Sequence, residues 1–197
     1  ILRTLNTYGH LLLPENIRIA PVAWRIVSSL HASLVVLFSY LYLRKHISIS
    51  AWQTCLNLST GYFMFDLVRI SLSSIISTSA LITNTIHHTI SLVVISTYIK
   101  KYPKLSAQGF LAEMTPPLIY TCWFMRESGH QATILFKVLM ICQRVVFFLL
   151  RIYNFTKILW SLYLKKATTL ELCGFGTMVS MNYFWFFLLI YKAFKTF

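Results

Sequence analysis

Two adjacent imidazoles, His87 and His88, stand in an otherwise apolar run, Asn84-Thr-Ile-His-His-Thr-Ile-Ser-Leu-Val-Val-Ile-Ser96. A histidine with a near-neutral pKa can act as a general base or as an acyl-accepting nucleophile. Ionisable groups at membrane depth are costly, so each raises the question of a function. Two acids add to it: Asp66, in Gly61-Tyr-Phe-Met-Phe-Asp66-Leu-Val-Arg69, and Glu113, in Ala112-Glu113-Met-Thr-Pro-Pro117. On a helix the two histidines point about 100° apart, so they cannot share one geometric role. One can face a cavity while the other holds a neighbouring helix. Asn84, at i−3 and i−4, is within reach of a ring nitrogen. The plainer reading makes both imidazoles interhelical hydrogen-bonding groups, worth about 1 kcal/mol each.

Asp66 and Arg69 share a helical face at i,i+3 and are expected to form a structural ion pair. Glu113 has no basic residue within a turn, and its expected partners are the freed backbone, Arg144, His87 or His88. Asn182, in Asn182-Tyr-Phe-Trp185, is an amide in an aromatic run and is expected to bond another helix. No H-x-x-x-H or C-x-x-C spacing occurs, so no metal site is expected. Cys55, Cys122, Cys142 and Cys173 read as small packing residues.

The elements that must hold these groups are membrane helices. The chain has 197 residues, 57% hydrophobic and 12% charged, with mean hydropathy +0.66. A soluble domain is far more polar. The net charge of +13 gathers at the ends of apolar runs, in Arg44-Lys45, Lys100-Lys101 with Lys104, Lys165-Lys166, Lys192 and Lys195. That placement suits lipid headgroups and excludes nucleic acid as a partner.

The fold class expected is all-α: a polytopic transmembrane bundle of six spans, with seven as the alternative. Spans are placed at about Val22–Leu43, Ala51–Ser71, Leu81–Ile99, Leu105–Met125, within Gln131–Leu164, and Thr169–Tyr191, against the roughly 20 residues that cross a bilayer. Residues 1–21 read as an interfacial lead-in, and 71–79 as a Ser-rich continuation or end of the second span. Pro103 should stop the third span. Pro116-Pro117 should kink the fourth, freeing the carbonyls of Ala112 and Glu113. Gln131–Leu164 is too long for one ordinary crossing: either a long tilted helix, or a span ending near Arg151 followed by a second piece. With six spans, the loops after the first, third and fifth hold seven Lys/Arg against five on the side of the termini, which places those loops in the cytoplasm or matrix.

These pieces occur in an order that resembles the TLC-domain family. The matching residues are Arg25 with His31, Gly61 to Asp66, His87-His88, Glu113-Met-Thr-Pro-Pro117 with Trp123, Arg144 to Arg151, and Asn182 to Trp185. The resemblance implies a transmembrane domain over 22–195 with a lipid-accessible cavity lined by His87, His88, Glu113, Asn182 and Trp185. Asp66, Arg69, Asn84 and Arg144 would be structural polar groups. Ceramide synthases of this family transfer an acyl group from acyl-CoA to a sphingoid amine, using paired histidines; in such a role His87 and His88 would be catalytic. Those enzymes carry a His-Asp-x-x-Asp type motif where this chain has Ala112-Glu113-Met-Thr-Pro-Pro117, so the likeness is to the non-synthase members. The resemblance implies binding or handling of lipid, with a bound phospholipid or sphingolipid and no other cofactor; acyl-CoA enters only for an acyltransferase. The alternative is an accessory subunit among the other subunits of a larger membrane complex. The expected location is the endoplasmic reticulum, with the mitochondrial inner membrane as the alternative.

Overall fold

The computed structural model describes residues 19–72 and 78–196; residues 1–18 of the lead-in and most of the Ser-rich stretch lie outside the described residues, and 19–21 open the first helix, three residues before the expected span. Every described element is helical. Helix α1 is Ile19–Leu43, α2 Ile49–Ser71, α3 Thr78–Lys101 and α4 Pro103–Phe110. A 3-10 turn, Leu111–Met114, joins α4 to α5, Thr115–Glu127. After a short 3-10 turn at His130–Ala132, α6 (Ile134–Phe147), a π segment (Phe148–Tyr153) and α7 (Asn154–Leu164) run on without a break, and α8 is Thr169–Thr196.

Local chemistry explains the boundaries. Ser48 caps α2 by accepting the Ala51 N–H, and Thr133 caps α6 by accepting the Phe136 N–H. Thr168 and Glu171 close a reciprocal capping box on α8: the Glu171 N–H donates to Thr168 Oγ1 and the Thr168 N–H to Glu171 Oε2. Tyr102 leaves helical geometry and Pro103 opens α4, as a proline stop requires. The fourth stretch is broken as expected. The 3-10 turn precedes the two prolines, and the Ala112 carbonyl accepts the Thr115 hydroxyl at 2.9 Å. The long fifth stretch takes a form the sequence left open: one continuous helix with a wide turn at Phe148–Tyr153.

Two apolar clusters pin the bundle. One centres on fully buried Trp52, which stacks on Tyr42 and meets the edge of Phe110, with Val35, Leu56 and Ala107 around it. The other joins Ala112, Phe155, Ile158, Leu162 and Ala167 to Phe175 and Met178. Small polar groups fill tight contacts: Ser39, Ser59 and Thr115 are fully buried, the two serines donating to a carbonyl of their own helix and Thr115 to Ala112 in the preceding 3-10 turn. The outside is apolar instead, with Leu58, Ile134, Leu135 and Phe187 all at least 60% exposed. In water such a surface would aggregate. Val22–Leu43 and Thr169–Tyr191 are each long and apolar enough to cross a membrane, and Leu81–Ser96 is a shorter apolar helix.

Candidate functional site

His87 and His88 turn to different neighbours, as their adjacency on one helix demands. His88 reaches α2, where its Nε2 lies 3.0 Å from Asp66 Oδ2. The other Asp66 oxygen accepts the Arg69 Nε–H at 2.6 Å. One buried carboxylate thus ties α3 to α2 and holds its own helix's arginine. The Phe63 ring lies 5.2 Å from His88. His87 turns toward α8, with its ring 5.1 Å from Trp185 in an edge contact. The Nδ1 atoms of both rings are buried without a hydrogen-bond partner among the described residues.

Opposite His87 is a second charged group. Arg151 is 6% exposed and projects from the π segment. Its Nε–H donates to Thr115 Oγ1 at 2.6 Å, an Nη1–H donates to Asn182 Oδ1 at 3.3 Å, and its Nη2 lies 3.7 Å from Glu113 Oε1. Four separate segments therefore converge: the 3-10 turn, the start of α5, the π segment and α8. A π turn inserts one residue into a helix and so redirects a side chain, a feature common at functional sites.

These groups surround space. A cavity of about 360 Å³ is lined by Asp66, His87, His88, Glu113, Arg151 and Trp185, with Asn84 and Tyr120 also on its wall. A second, apolar pocket of about 60 Å³ lies against His87, Glu113 and Arg151 and continues past Ser91, Phe155 and Met178. The three polar side chains form a wall common to both spaces. The larger space can take a polar headgroup and the smaller one the start of a hydrocarbon chain.

A sequence profile of the TLC domain matches residues 22–191. The chain belongs to the TLC-domain family. The match stops just short of the expected end at 195 and leaves out residues 1–21. No curated protein and no solved structure matches the chain beyond that profile. As a TLC-domain protein with two spanning-length apolar helices, it is a membrane protein related to lipid.

Most of the residues singled out in the TLC-domain sequence meet in one place. His87, His88, Glu113 and Trp185 line the larger cavity, while Asn182 is 1% exposed and bonds Arg151 just behind its wall. Asp66 and Arg69 pair as their spacing suggested. Arg144 does not join them: it donates from Nη1 to the Met140 carbonyl of its own helix, and Glu113 faces Arg151 instead. The His88–Asp66 bond, Gln143 and Tyr120 in the wall, and the His31–Tyr62 stack at 3.8 Å were not foreseen. The sequence marked His31 only as part of the family pattern. Its ring nitrogen bonds Ser59, which fixes α1 on α2.

Proposed function

We propose that this TLC-domain protein crosses the membrane six times and binds a single lipid, with the headgroup in the larger cavity and part of a chain beyond His87. The observation that carries the reading is the shared wall. His87, Glu113 and Arg151 border both a larger space that mixes polar and apolar side chains and a smaller, mostly apolar one, a gradient that suits an amphipathic lipid. The rings of His87 and His88, Asn84 and Tyr120 supply donors and acceptors for hydroxyl, amine or phosphate groups. Glu113, Asn182 and Trp185 shape the wall, and Arg69 and Asp66 hold α2 against it. The six crossings are α1, α2, α3, α4 with α5, α6 with α7, and α8. Native mass spectrometry of protein purified in mild detergent tests the reading. A retained lipid at one copy per chain supports it, and protein that is lipid-free however gently it is prepared contradicts it.

A catalytic version has one observation in its favour. If His88 donates Nε2–H to Asp66, a neutral ring keeps its lone pair on Nδ1, which has no hydrogen-bond partner among the described residues. Such an oriented imidazole suits a general base once a bound substrate reaches the buried Nδ1. With acyl-CoA as donor, His88 would take the proton of an attacking lipid amine or hydroxyl. The new acyl bond forms as the thioester C–S bond breaks, and the thiolate leaves with that proton. Incubation with acyl-CoA and lipid amines or alcohols, read by mass spectrometry, decides it. Product that is lost in a folded His88→Ala variant establishes the transferase, and no product in the native protein leaves lipid binding.

A further inference from the structure

Helices α1 and α7 end in the same way and at the same end of the bundle. In α1 the His46 N–H donates to the Leu41 carbonyl at 2.8 Å and the Lys45 N–H to the Tyr42 carbonyl at 3.0 Å. In α7 the Ala167 N–H donates to the Leu162 carbonyl and the Lys166 N–H to the Tyr163 carbonyl, both at 3.0 Å. This paired pattern forces the residue after the cap into left-handed backbone, where glycine is the usual occupant. Here that residue is lysine both times, Lys45 at φ 62° and Lys166 at φ 54°. Helix α5, which ends at the opposite end of the bundle, uses Gly129 at φ 78°.

A Cβ in left-handed backbone is unfavourable, so each lysine stands where a less strained residue was available. The helix dipole is complemented without them. Arg44 and Lys165 already stand at the two caps, one residue earlier, and complement the negative helix ends. The second cation therefore adds like charge beside like charge. An anionic partner outside the chain would offset that cost.

The surroundings indicate what meets it. Arg44, Lys45, Lys101, Lys104, Lys165 and Lys166 are all exposed on the connections between α1 and α2, α3 and α4, and α7 and α8. Packing brings these connections together: Tyr102 packs on the cluster containing Ala167, and Ala107 of α4 on the cluster containing Tyr42. The acid at this end among the described residues is Glu171, already held by Lys101 at 3.0 Å and by Thr168. Within about a turn of the lysines, Tyr40, Trp160 and Tyr163 are exposed to at least 50%, and Arg44 lies over Tyr40. Exposed aromatic rings just inside a basic rim mark the level of lipid headgroups.

We infer that this end of the bundle is a docking face for anionic phospholipid headgroups, with the left-handed lysines Lys45 and Lys166 as leading contacts. The inference rests on the membrane reading above and is independent of what the cavity holds. Clustered lysines at a membrane surface attract anionic lipid strongly, and salt screens the attraction.

The test uses the whole protein in nanodiscs of phosphatidylcholine alone or mixed with phosphatidylglycerol, with thermal unfolding as the readout. The native protein should melt higher in the anionic discs, and the increment should shrink as salt rises. The double variant Lys45→Gly/Lys166→Gly should melt about 2 °C higher than native in phosphatidylcholine, because glycine relieves the backbone. It should also lose at least half of the anionic increment. A higher melting point in phosphatidylcholine together with a smaller anionic increment cannot come from a damaged fold. If that variant does not assemble, Lys45→Asn/Lys166→Asn retains a residue that tolerates left-handed backbone and removes the charge. An undiminished anionic increment in the variant overturns the proposal. So does an equal increment from soluble glycerophosphoglycerol added to phosphatidylcholine discs, since that would be a site for a free anion. Protein that stays folded and monodisperse without detergent or lipid would instead defeat the membrane reading itself.

Discussion

Glu113 and Arg151 face each other at 3.7 Å, and each comes from a stretch where the helix leaves α geometry. The 3-10 turn supplies the acid and the π segment the base. Two irregular turns, on different helices, place opposite charges on one cavity wall. Removing one member of a buried pair leaves the other uncompensated. Arg151→Met should therefore lower stability by about 3–5 kcal/mol. Adding Glu113→Gln should recover part of that loss. Thermal melting of the single and double variants in one detergent checks both, and purely additive losses would show that the two charges are not coupled.

Asp66 carries two partners on one carboxylate, Arg69 at 2.6 Å and His88 at 3.0 Å. Asp66→Asn keeps the shape and removes the charge. The expected loss is about 1.5–3 kcal/mol, the scale of hydrogen bonds to a charged group. Folded protein recovered per cell should fall, while the lipid species that co-purify stay the same. Normal recovery with altered lipid content would make Asp66 a binding residue.

The capping box at the start of α8 offers a test away from the cavity. Thr168→Ala removes the acceptor of the Glu171 N–H and should cost about 1 kcal/mol. Glu171→Gln should cost less, because a glutamine still closes the box and the ion pair it gives up is with half-exposed Lys101. The order of the two melting temperatures is the check: Thr168→Ala should melt lower.

Ser91 lines the apolar pocket beyond His87 and is 7% exposed. Ser91→Leu should fill much of that space. Lipids that co-purify with the variant should shift to shorter chains while the headgroup class is unchanged. Lipid mass spectrometry reads both at once, and an unaltered chain profile would remove the pocket from the lipid's path.

Much of this site was legible in the sequence because local rules govern it. Spacing alone gives the Asp66–Arg69 pair. Adjacency alone sends His87 and His88 to different helices. Pro116-Pro117 announces the break that carries Glu113. The cross-helix partners were not legible in the same way. Arg144 and Arg151 are seven residues apart and would share a face of a regular α-helix, so depth decides which one meets Glu113. The π segment that carries Arg151 has neither glycine nor proline to announce it. The His88–Asp66 bond depends on how α2 and α3 lie against each other, which no spacing within either helix encodes. The left-handed lysines were hidden because glycine is the usual signal for such a turn.

On the lipid-binding proposal, a lipid occupies the cavity between the helices and does not merely coat the outside. Ile119 lines the larger cavity, whereas Leu34 is 56% exposed on the outer face of α1. The most direct measurement is lipid per chain, by native mass spectrometry, for native protein, Ile119→Trp and Leu34→Trp purified alike. The account predicts that Ile119→Trp loses the retained lipid while Leu34→Trp keeps it, with both variants folded. Equal lipid retention by all three would contradict the account and place the lipid on the surface of the bundle.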